Sequence, residues 1–252
     1  MADSAAMPGL AATAKSAKAV SRHSATVRIT HWIAALCFAA LAVTGVEILI
    51  SHPRFYWGET GNSSGPALFQ IPIPASRAGV PTGYGYVLPD QNGWSRALHF
   101  QAAWIVVFCG LAYGIHGLLS GHFRKSLLPV RGDLSWRVIS SEIAQHLRFK
   151  PSVGAGGGYN VLQRLSYVVV VFVLFPLMIW TGLAMSPAFT AAFPTTVTAL
   201  GGQQSARTIH FFVFLALALF LIVHVAMVCL TGFRNQMRGM ITGRAETEEK
   251  SR

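Results

Sequence analysis

Four long apolar stretches constrain the fold of this chain more than any other feature. A helix needs about 20 apolar residues to cross a bilayer, and each stretch exceeds that length with Glu47 as the only acid among them. The stretches run from Val27 to Ile50, from Ala97 to Ser120, from Val161 to Ser186 and from Arg207 to Gly232. The sequence therefore predicts an all-α integral membrane protein built as a bundle of four transmembrane helices.

The composition agrees with a lipid environment. Hydrophobic residues make up 52% of the chain and charged residues 12%, about half the share of charge in an ordinary soluble domain. The net charge of +11 is therefore not read first as nucleic-acid binding, because in a membrane protein it matters which loops carry Lys and Arg. The three cysteines form no CxxC motif, which disfavours a disulfide framework, a zinc knuckle and a covalently attached haem.

The basic residues predict the orientation of the bundle. Sixteen of the 20 lie in the N-terminal tail, in the segment between the second and third stretches, or in the C-terminal tail. The opposite side has only Arg54, Arg77, Arg96 and Arg207. Because basic residues accumulate on the cytoplasmic side of a membrane, the pattern places both termini in the cytoplasm.

This orientation sorts the remaining segments. Residues 1–21 are expected to form a disordered cytoplasmic tail, and residues 241–252 form a second one. Residues 51–96 form a long outer loop between helices 1 and 2, and residues 121–160 form a cytoplasmic loop with an amphipathic surface helix from Leu134 to Phe149. The outer loop is rich in Gly, Pro and aromatic residues. From Pro53 to Trp94 it is expected to be a docking surface for a partner, or a cap that keeps water from the bundle.

Histidines inside the apolar stretches are the strongest functional signal. Ionisable residues in lipid are costly and usually functional, although a single one is more often a satisfied hydrogen-bonding group. Five of the nine histidines lie in the stretches: His31, His99, His116, His210 and His224. His210 and His224 are 14 residues apart, which on a helix puts them on the same face about 21 Å apart along the axis.

Each of these two histidines has a partner at its own depth. His99 begins the second stretch on the side where His210 begins the fourth, and His31 lies at the level of His224. The pairs His99/His210 and His31/His224 suit the axial ligands of two haems in the core of a four-helix bundle. Zinc would require three or four ligands at one depth. The sequence therefore predicts two bis-histidine haem sites, and residues 22–240 form the di-haem domain.

Three arginines precede candidate ligands by three residues. The motifs RITH, RALH and RTIH place Arg28, Arg96 and Arg207 on the same helix face as their histidines, toward the aqueous edge. They are candidates for binding haem propionates, because Arg forms bidentate pairs with carboxylates. An equal alternative is that they anchor the helix ends at the lipid headgroups. His116 lies about 100° around the helix from His99, and it could compete as a ligand, bind a propionate or line a quinone pocket.

These motifs resemble a known family. The His31–Trp32 pair, the RALHF and RTIHF openings and the two histidines of the fourth stretch are similar to the bacterial di-haem cytochrome b family. That family includes bacterial cytochrome b561, the formate dehydrogenase gamma subunit and the b-type cytochrome of nickel-iron hydrogenase. The segments HPRFYWGETGN, GHFRKSLLP and TGLAMSP most resemble the thiosulfate-reductase-type cytochrome b subunits, which are often partnered with a periplasmic molybdopterin oxidoreductase.

The resemblance implies a subunit of the bacterial inner membrane with two haem b groups. Such a subunit would pass electrons between the quinone pool and a periplasmic redox protein, with a quinone pocket expected near the His31/His224 haem. Two alternatives remain open at this stage. One is a self-contained, quinone-linked oxidoreductase such as a superoxide oxidase, and the other is a haem-free, proton-coupled transporter that uses its histidines as a relay.

Overall fold

A computed structural model describes residues 24–61, 66–72, 93–124, 128, 135–147 and 161–243. Within these ranges, four helical segments are long and apolar enough to cross a membrane, as predicted. The helices are α1 (Ala25–Ser51), α2 (Gly93–Leu119), α3 (Trp136–Leu147), α4 (Val161–Val169), α5 (Phe175–Ala184), α6 (Pro187–Ala192), α7 (Thr195–Thr198), α8 (Gln203–Leu230) and α9 (Phe233–Thr242). The four spans are α1, α2, the continuous segment α4–α5 and α8.

The four spans form two helix pairs that share one core. Helix α1 packs along α2, and α5 packs along α8. Cys37, Ala102 and Val106 are buried between the first two helices, and Phe175 of α5 packs against this cluster. Phe175 also packs against Val213 in the core of the second pair, so this one ring joins the two pairs. The outer faces stay apolar and exposed, as Leu119 at 84% shows, which is the surface that lipid requires.

The third span contains a π-helical turn. Residues Val170–Leu174 form it, and Pro176 follows as the second residue of α5. Proline has no backbone N–H to donate to the carbonyl four residues before it. A π turn adjusts the hydrogen-bond register at such a site, so the span continues from α4 into α5 without an interruption.

The bundle has two ends with different coverings. At one end, here called the hairpin end, strands β1 (Arg54–Phe55) and β2 (Phe69–Gln70) form an antiparallel pair, and the short helices α6 and α7 connect α5 to α8. The rings of Phe55 and Phe69 stack with centroids 4.5 Å apart. Phe55 is only 2% exposed, because it also packs on Phe211 of α8.

The opposite end, here called the α9 end, is covered by α9. Trp32 Nε1 donates to the carbonyl oxygen of Met240 over 3.2 Å, and Arg28 Nη1 donates to that of Ile241 over 2.7 Å. These two bonds tie α9 to the first span. The sequence did not lead us to expect α9, α6, α7 or the two strands, whereas the surface helix expected from Leu134 to Phe149 is present as α3. Residues 1–23, 73–92 and 244–252 lie outside the described residues, and so do the predicted N-terminal tail and much of the outer loop.

Candidate functional site

At the hairpin end, His99 of α2 faces His210 of α8. Their ring centroids are 6.4 Å apart and the ring planes are tilted by 57°. Each histidine lies about two turns inside the hairpin end of its helix, His99 after the start at Gly93 and His210 after the start at Gln203. The expected pairing of these two residues is therefore present in the geometry of the bundle.

Each ring of this pair is held from behind by a buried threonine. The Nδ1 atom of His99 lies 2.9 Å from the Oγ1 of Thr44 on α1, and that of His210 lies 2.8 Å from the Oγ1 of Thr181 on α5. Both threonine side chains are fully buried. The Nε2 atom of each ring is thereby left as the nitrogen that a ligand could use.

A glycine follows each of these threonines and leaves space beside the histidine. A Cβ at Gly45 would lie 3.6 Å from Cε1 of His99, and a Cβ at Gly182 would lie 3.5 Å from Cε1 of His210. Any side chain longer than alanine at either position would therefore extend into the space around the pair. Gly182 on the third span is thus the counterpart of Gly45 on the first.

At the α9 end, His31 of α1 faces His224 of α8. Their ring centroids are 6.3 Å apart with a tilt of 53°, almost the same geometry as the first pair. Phe220 stacks on His224 with centroids 5.7 Å apart, and Trp32 meets His31 edge-on. The Nδ1 atom of His31 is buried without a hydrogen-bond partner among the described residues, so the two pairs differ in how their rings are held.

The spacing of both pairs fits an ion shared by two imidazoles. A metal–imidazole bond is about 2.0 Å long, and a ring nitrogen lies about 1.2 Å from the centre of its ring. Two imidazoles on opposite sides of one ion therefore have ring centres about 6.4 Å apart. A direct hydrogen bond of about 2.9 Å between the two rings would give about 5.3 Å. Among the described residues, no group of three or more His, Cys, Asp or Glu side chains is placed to hold a metal ion. The donor set therefore suits haem, which takes two axial ligands, better than zinc.

The three arginines occupy the edges of these two sites. Arg207 donates from Nη1 to the carbonyl oxygen of Arg54 over 3.0 Å and from Nη2 to that of His52, and its guanidinium lies 4.9 Å from the ring centre of Phe55. Arg28 binds the carbonyl oxygen of Ile241 as described above, and Arg96 is exposed at the start of α2. Arg28 and Arg207 thus hold the coverings of the two ends, and a role with propionates stays a prediction for all three.

His52, just beyond the first span, is partly buried and lies near the positive charges of Arg207 and Arg96. Its pKa lies below the ordinary value, first because the ring is buried and then because Arg207 and Arg96 carry positive charge nearby, while a backbone bond to Ile48 opposes the shift. His52 is therefore neutral at pH 7. Arginine side chains close to the His99/His210 pair give a local positive potential that suits carboxylates.

The loop after α1 is fastened to the start of α8. The carbonyl oxygen of Gly58 accepts from the backbone N–H groups of Gln204 (3.0 Å) and Ser205 (3.3 Å), and Gly58 N–H donates to Ser205 Oγ over 2.8 Å. The Oγ1 of Thr208 donates to the carbonyl oxygen of Tyr56. The loop thus satisfies backbone groups at the N-terminus of α8 and covers the hairpin end of the bundle.

His116 lies at the α9 end, near the last turn of α2. Its Nε2 is 3.3 Å from Ser24 Oγ at the start of α1. It is close to His122, whose pKa is lowered first by burial and then by the charge of His116. His122 also contacts Tyr113 edge-on. His116 therefore has a polar environment of its own at the membrane edge, and it does not take part in either of the two ring pairs described above.

The comparisons with known proteins agree with this geometry. The family profile described as prokaryotic cytochrome b561 matches residues 22–243, which is most of the chain. The chain belongs to the prokaryotic cytochrome b561 family. It is therefore a multi-pass protein of a bacterial membrane and a b-type cytochrome, in a family whose members bind b-type haem.

Relatives within this family are subunits of larger oxidoreductases. The chain is 29% identical to YedZ1 of Azospira oryzae, named as a protein-methionine-sulfoxide reductase subunit, over 82% of this chain and 90% of that protein. It is 27% identical to a protein of Cupriavidus necator named as a Ni/Fe-hydrogenase B-type cytochrome subunit, over 86% and 82%. It is 26% identical to the cytochrome b556(fdo) subunit of formate dehydrogenase of Escherichia coli, over 82% and 77%. All three of these relatives are thus named as subunits of oxidoreductases.

The sequence analysis missed the threonines of this site. Thr44 and Thr181 each precede a glycine inside an apolar span, and the repeated Thr–Gly dipeptide was the available signal. A threonine in a transmembrane helix usually satisfies its own hydroxyl by bonding back to the preceding turn. The dipeptide alone therefore did not indicate that these two threonines contact histidines on neighbouring helices.

Proposed function

We propose that this chain is a di-haem b-type cytochrome that carries electrons between membrane quinone and a redox protein on the outer side of the membrane. The observation that carries the proposal is the presence of two histidine pairs of matching geometry, 6.4 Å and 6.3 Å between ring centroids, at opposite ends of one bundle. In this proposal, His99 and His210 are the axial ligands of one haem b, and His31 and His224 are those of a second.

The two sites suit electron transfer across the membrane. A b-type haem accepts and releases one electron at a time, while the protein orients it and tunes its potential. His210 and His224 are separated by 14 residues of one continuous helix, about 21 Å along the axis. Helix α8 supplies one residue to each pair, so it fixes the spacing of the two sites. Gly45 and Gly182 keep the space around the hairpin-end pair free of side chains.

Both termini face the cytoplasm in this proposal. The support is the distribution of Lys and Arg, of which sixteen of 20 lie in the segments beside the α9 end. The hairpin end then faces the periplasm, and the His99/His210 pair lies close to it. The domain boundaries keep the same assignment, with residues 51–96 outside, residues 121–160 inside, and the tails 1–21 and 241–252 in the cytoplasm.

The outer loop is the docking surface for the partner. Trp57 and Leu68 are 60% and 58% exposed on the covered hairpin end, and exposed Trp side chains are frequent anchors in protein interfaces. The relatives named as reductase, hydrogenase and formate dehydrogenase subunits support a redox enzyme as the partner. The resemblance of the loop to thiosulfate-reductase-type subunits favours one that contains molybdopterin. The bonds of Gly58 to α8 support a second role for the same loop, as a cover over the site.

The quinone pocket lies at the α9 end in this proposal. A quinone needs hydrogen-bond partners for its carbonyl groups and a route for protons to water. His116 and His122 are close together there, Ser24 Oγ lies beside His116, and neutral histidine is suited to proton exchange near pH 7. Arg124 follows in the same segment, and Lys125, the next basic residue, lies outside the described residues.

Haem content tests the ligand assignment. Purified protein should contain two haems per chain, measured by reduced-minus-oxidised spectra and pyridine haemochrome. His99→Ala and His210→Ala should remove the same haem, and His31→Ala and His224→Ala should remove the other. His52→Ala, which changes a histidine outside the spans, is the control and should keep both. If a chain holds a single haem, or if His31→Ala keeps both while His116→Ala loses one, the assignment is wrong.

A second experiment tests the quinone pocket and the partner. With both haem spectra intact, His116→Ala should slow haem reduction by a quinol, whereas Glu47→Gln, near the hairpin end of α1, should not. Normal reduction in His116→Ala with failure in Glu47→Gln would place the pocket at the hairpin end instead.

Shortening the outer loop within residues 73–92 while both haems remain should impair electron exchange with the partner. Unchanged exchange, together with superoxide oxidation by the purified chain alone, would favour the self-contained oxidoreductase.

A further inference from the structure

We propose that Thr44 and Thr181 are positioning residues for His99 and His210, and that their hydroxyl groups favour the oxidised form of the haem at the hairpin end. This inference rests on the proposed function, because it takes His99 and His210 as the axial ligands of that haem. It adds an asymmetry between the two haem sites that the four histidines alone do not contain.

The hydrogen-bond pattern favours one position for the ring proton. Thr44 Oγ1 lies 2.7 Å from the carbonyl oxygen of Ala40 and 2.9 Å from Nδ1 of His99. A hydroxyl has a single hydrogen. We assign that hydrogen to the carbonyl oxygen of Ala40, so that the hydroxyl oxygen accepts from the ring N–H. In this assignment the proton of His99 is on Nδ1, and Nε2 has the free lone pair that an iron ion requires.

The same arrangement occurs a second time on the other helix pair. Thr181 Oγ1 donates to the carbonyl oxygen of Leu177 over 2.8 Å and lies 2.8 Å from Nδ1 of His210, from which it accepts by the same assignment. In both cases the threonine is on one helix of a pair and the histidine on the other, with α1 serving α2 and α5 serving α8. Two independent occurrences of one geometry around one pair of rings indicate a common role.

Burial makes these two contacts strong constraints. Both threonines have no exposed surface. If the hydroxyl were removed, the imidazole N–H of His99 would have no water to bond with in the apolar interior, whereas His210 would keep a backbone bond to Met178. Partners of this kind orient ligating histidines and raise their basicity. A more basic imidazole donates more electron density to the iron and stabilises its oxidised state, so the potential of the hairpin-end haem is lowered.

The α9 end lacks the equivalent contact in the described residues. His31 Nδ1 is buried there without a hydrogen-bond partner, although the ring spacing is almost the same. The threonines therefore lower the potential of one haem and leave the other unaffected. This difference would favour electron residence on the His31/His224 haem.

Valine and serine substitutions test the role of the hydroxyl. Valine keeps the shape of threonine without a hydroxyl, and serine keeps the hydroxyl. In Thr44→Val and Thr181→Val, redox titration of the complete protein should give a higher potential for the hairpin-end haem and the wild-type value for the other. Titration of apoprotein with haem should show an affinity at that site weaker by about tenfold or more. Thr44→Ser and Thr181→Ser should behave as wild type.

Thr30→Val is the matched control, because the Thr30 hydroxyl in α1 has the same bond to the preceding turn and contacts no histidine within the part of the chain that the structure describes. It should leave the hairpin-end haem unchanged. The single-haem variants His99→Ala and His31→Ala identify which potential belongs to which site. If His99→Ala keeps both haems, the proposed function is wrong.

The inference itself is wrong in three cases, even when His99→Ala loses one haem. The first is a valine variant with unchanged potential and affinity, and the second is an equal shift of both haems. The third is a serine variant that shifts as the valine variant does. If the valine variants retain no haem at the hairpin end, the serine variants decide: wild-type potential supports the role of the hydroxyl, and loss of haem refutes it.

Discussion

Replacing Gly202 by alanine should detach the outer loop from the start of α8. Gly202 has φ +110° and ψ 171°, a region open almost only to glycine, and an alanine there costs about 1–3 kcal/mol. Its Cβ would also meet backbone atoms of Gly58 and Glu59, the latter at 2.6 Å from its nitrogen. Backbone atoms cannot rotate away as a side chain can, so the loop must move.

The cost of that movement follows from the bonds it breaks. Gly58 takes part in three hydrogen bonds with Gln204 and Ser205, and each contributes about 1 kcal/mol. The neighbouring Gly201 has φ +79° and would place its Cβ no closer than 3.5 Å to Ser205 Oγ. Gly201→Ala therefore pays about 1–2 kcal/mol for backbone conformation and keeps the three bonds. The difference of about 3 kcal/mol corresponds to about 100-fold in the opening equilibrium of the loop.

Hydrogen exchange read by mass spectrometry measures this difference directly. Peptides that cover residues 54–59 and 203–206 should exchange about 100-fold faster in Gly202→Ala than in Gly201→Ala. Peptides from α9, at the other end of the bundle, should exchange alike in both variants. Equal exchange of the loop in the two variants would refute the reasoning, because it would mean that the close approach of residues 58 and 202 does not hold the loop in place.

Three further substitutions test other contacts. Gly45→Leu should lose the hairpin-end haem, because the leucine side chain would enter the space beside His99. Gly114→Leu should keep this haem, because a Cβ at Gly114 would have nothing within 4 Å. Haem spectra of the two variants measure the difference. Trp32→Phe removes the donor to α9 and should loosen α9 by about 1 kcal/mol in hydrogen exchange, while Trp104→Phe on the exposed face of α2 should not. Ser205→Ala leaves the buried N–H of residue 58 without its acceptor and should speed exchange there by an amount equivalent to about 1–3 kcal/mol.

The pairing of the histidines could be predicted from the sequence because it depends on two regular quantities. The helical period places His210 and His224 on one face, and the depth of each residue in its span follows from the apolar boundaries. Both quantities are local to one helix. His99 and His31 then have their partners by depth alone, and the ring pairs have the spacing of 6.4 Å and 6.3 Å described above.

The coverings of the two ends could not be predicted in the same way. The loop is held by Gly58 against Gly202, two residues far apart in the chain whose contact leaves no periodic pattern. Arg207 has a spacing that fits a propionate partner, but its guanidinium binds the carbonyl oxygens of Arg54 and His52. Helix α9 was missed because its basic residues were taken only as signs of orientation. In each case the contact that holds the covering joins two segments far apart in the chain, and a pattern within one segment does not predict it.

Helix α8 has a consequence for how the protein is made. It contributes one member to each histidine pair, and it is the last of the four spans to leave the ribosome. While the first three spans enter the membrane, His31 and His99 have no opposite ring, and Thr181 has no histidine to hold. Both pairs are completed by a single late insertion event. A nascent chain that stops before Gln203 therefore contains one member of each histidine pair, and both pairs are completed only when the last span enters the membrane.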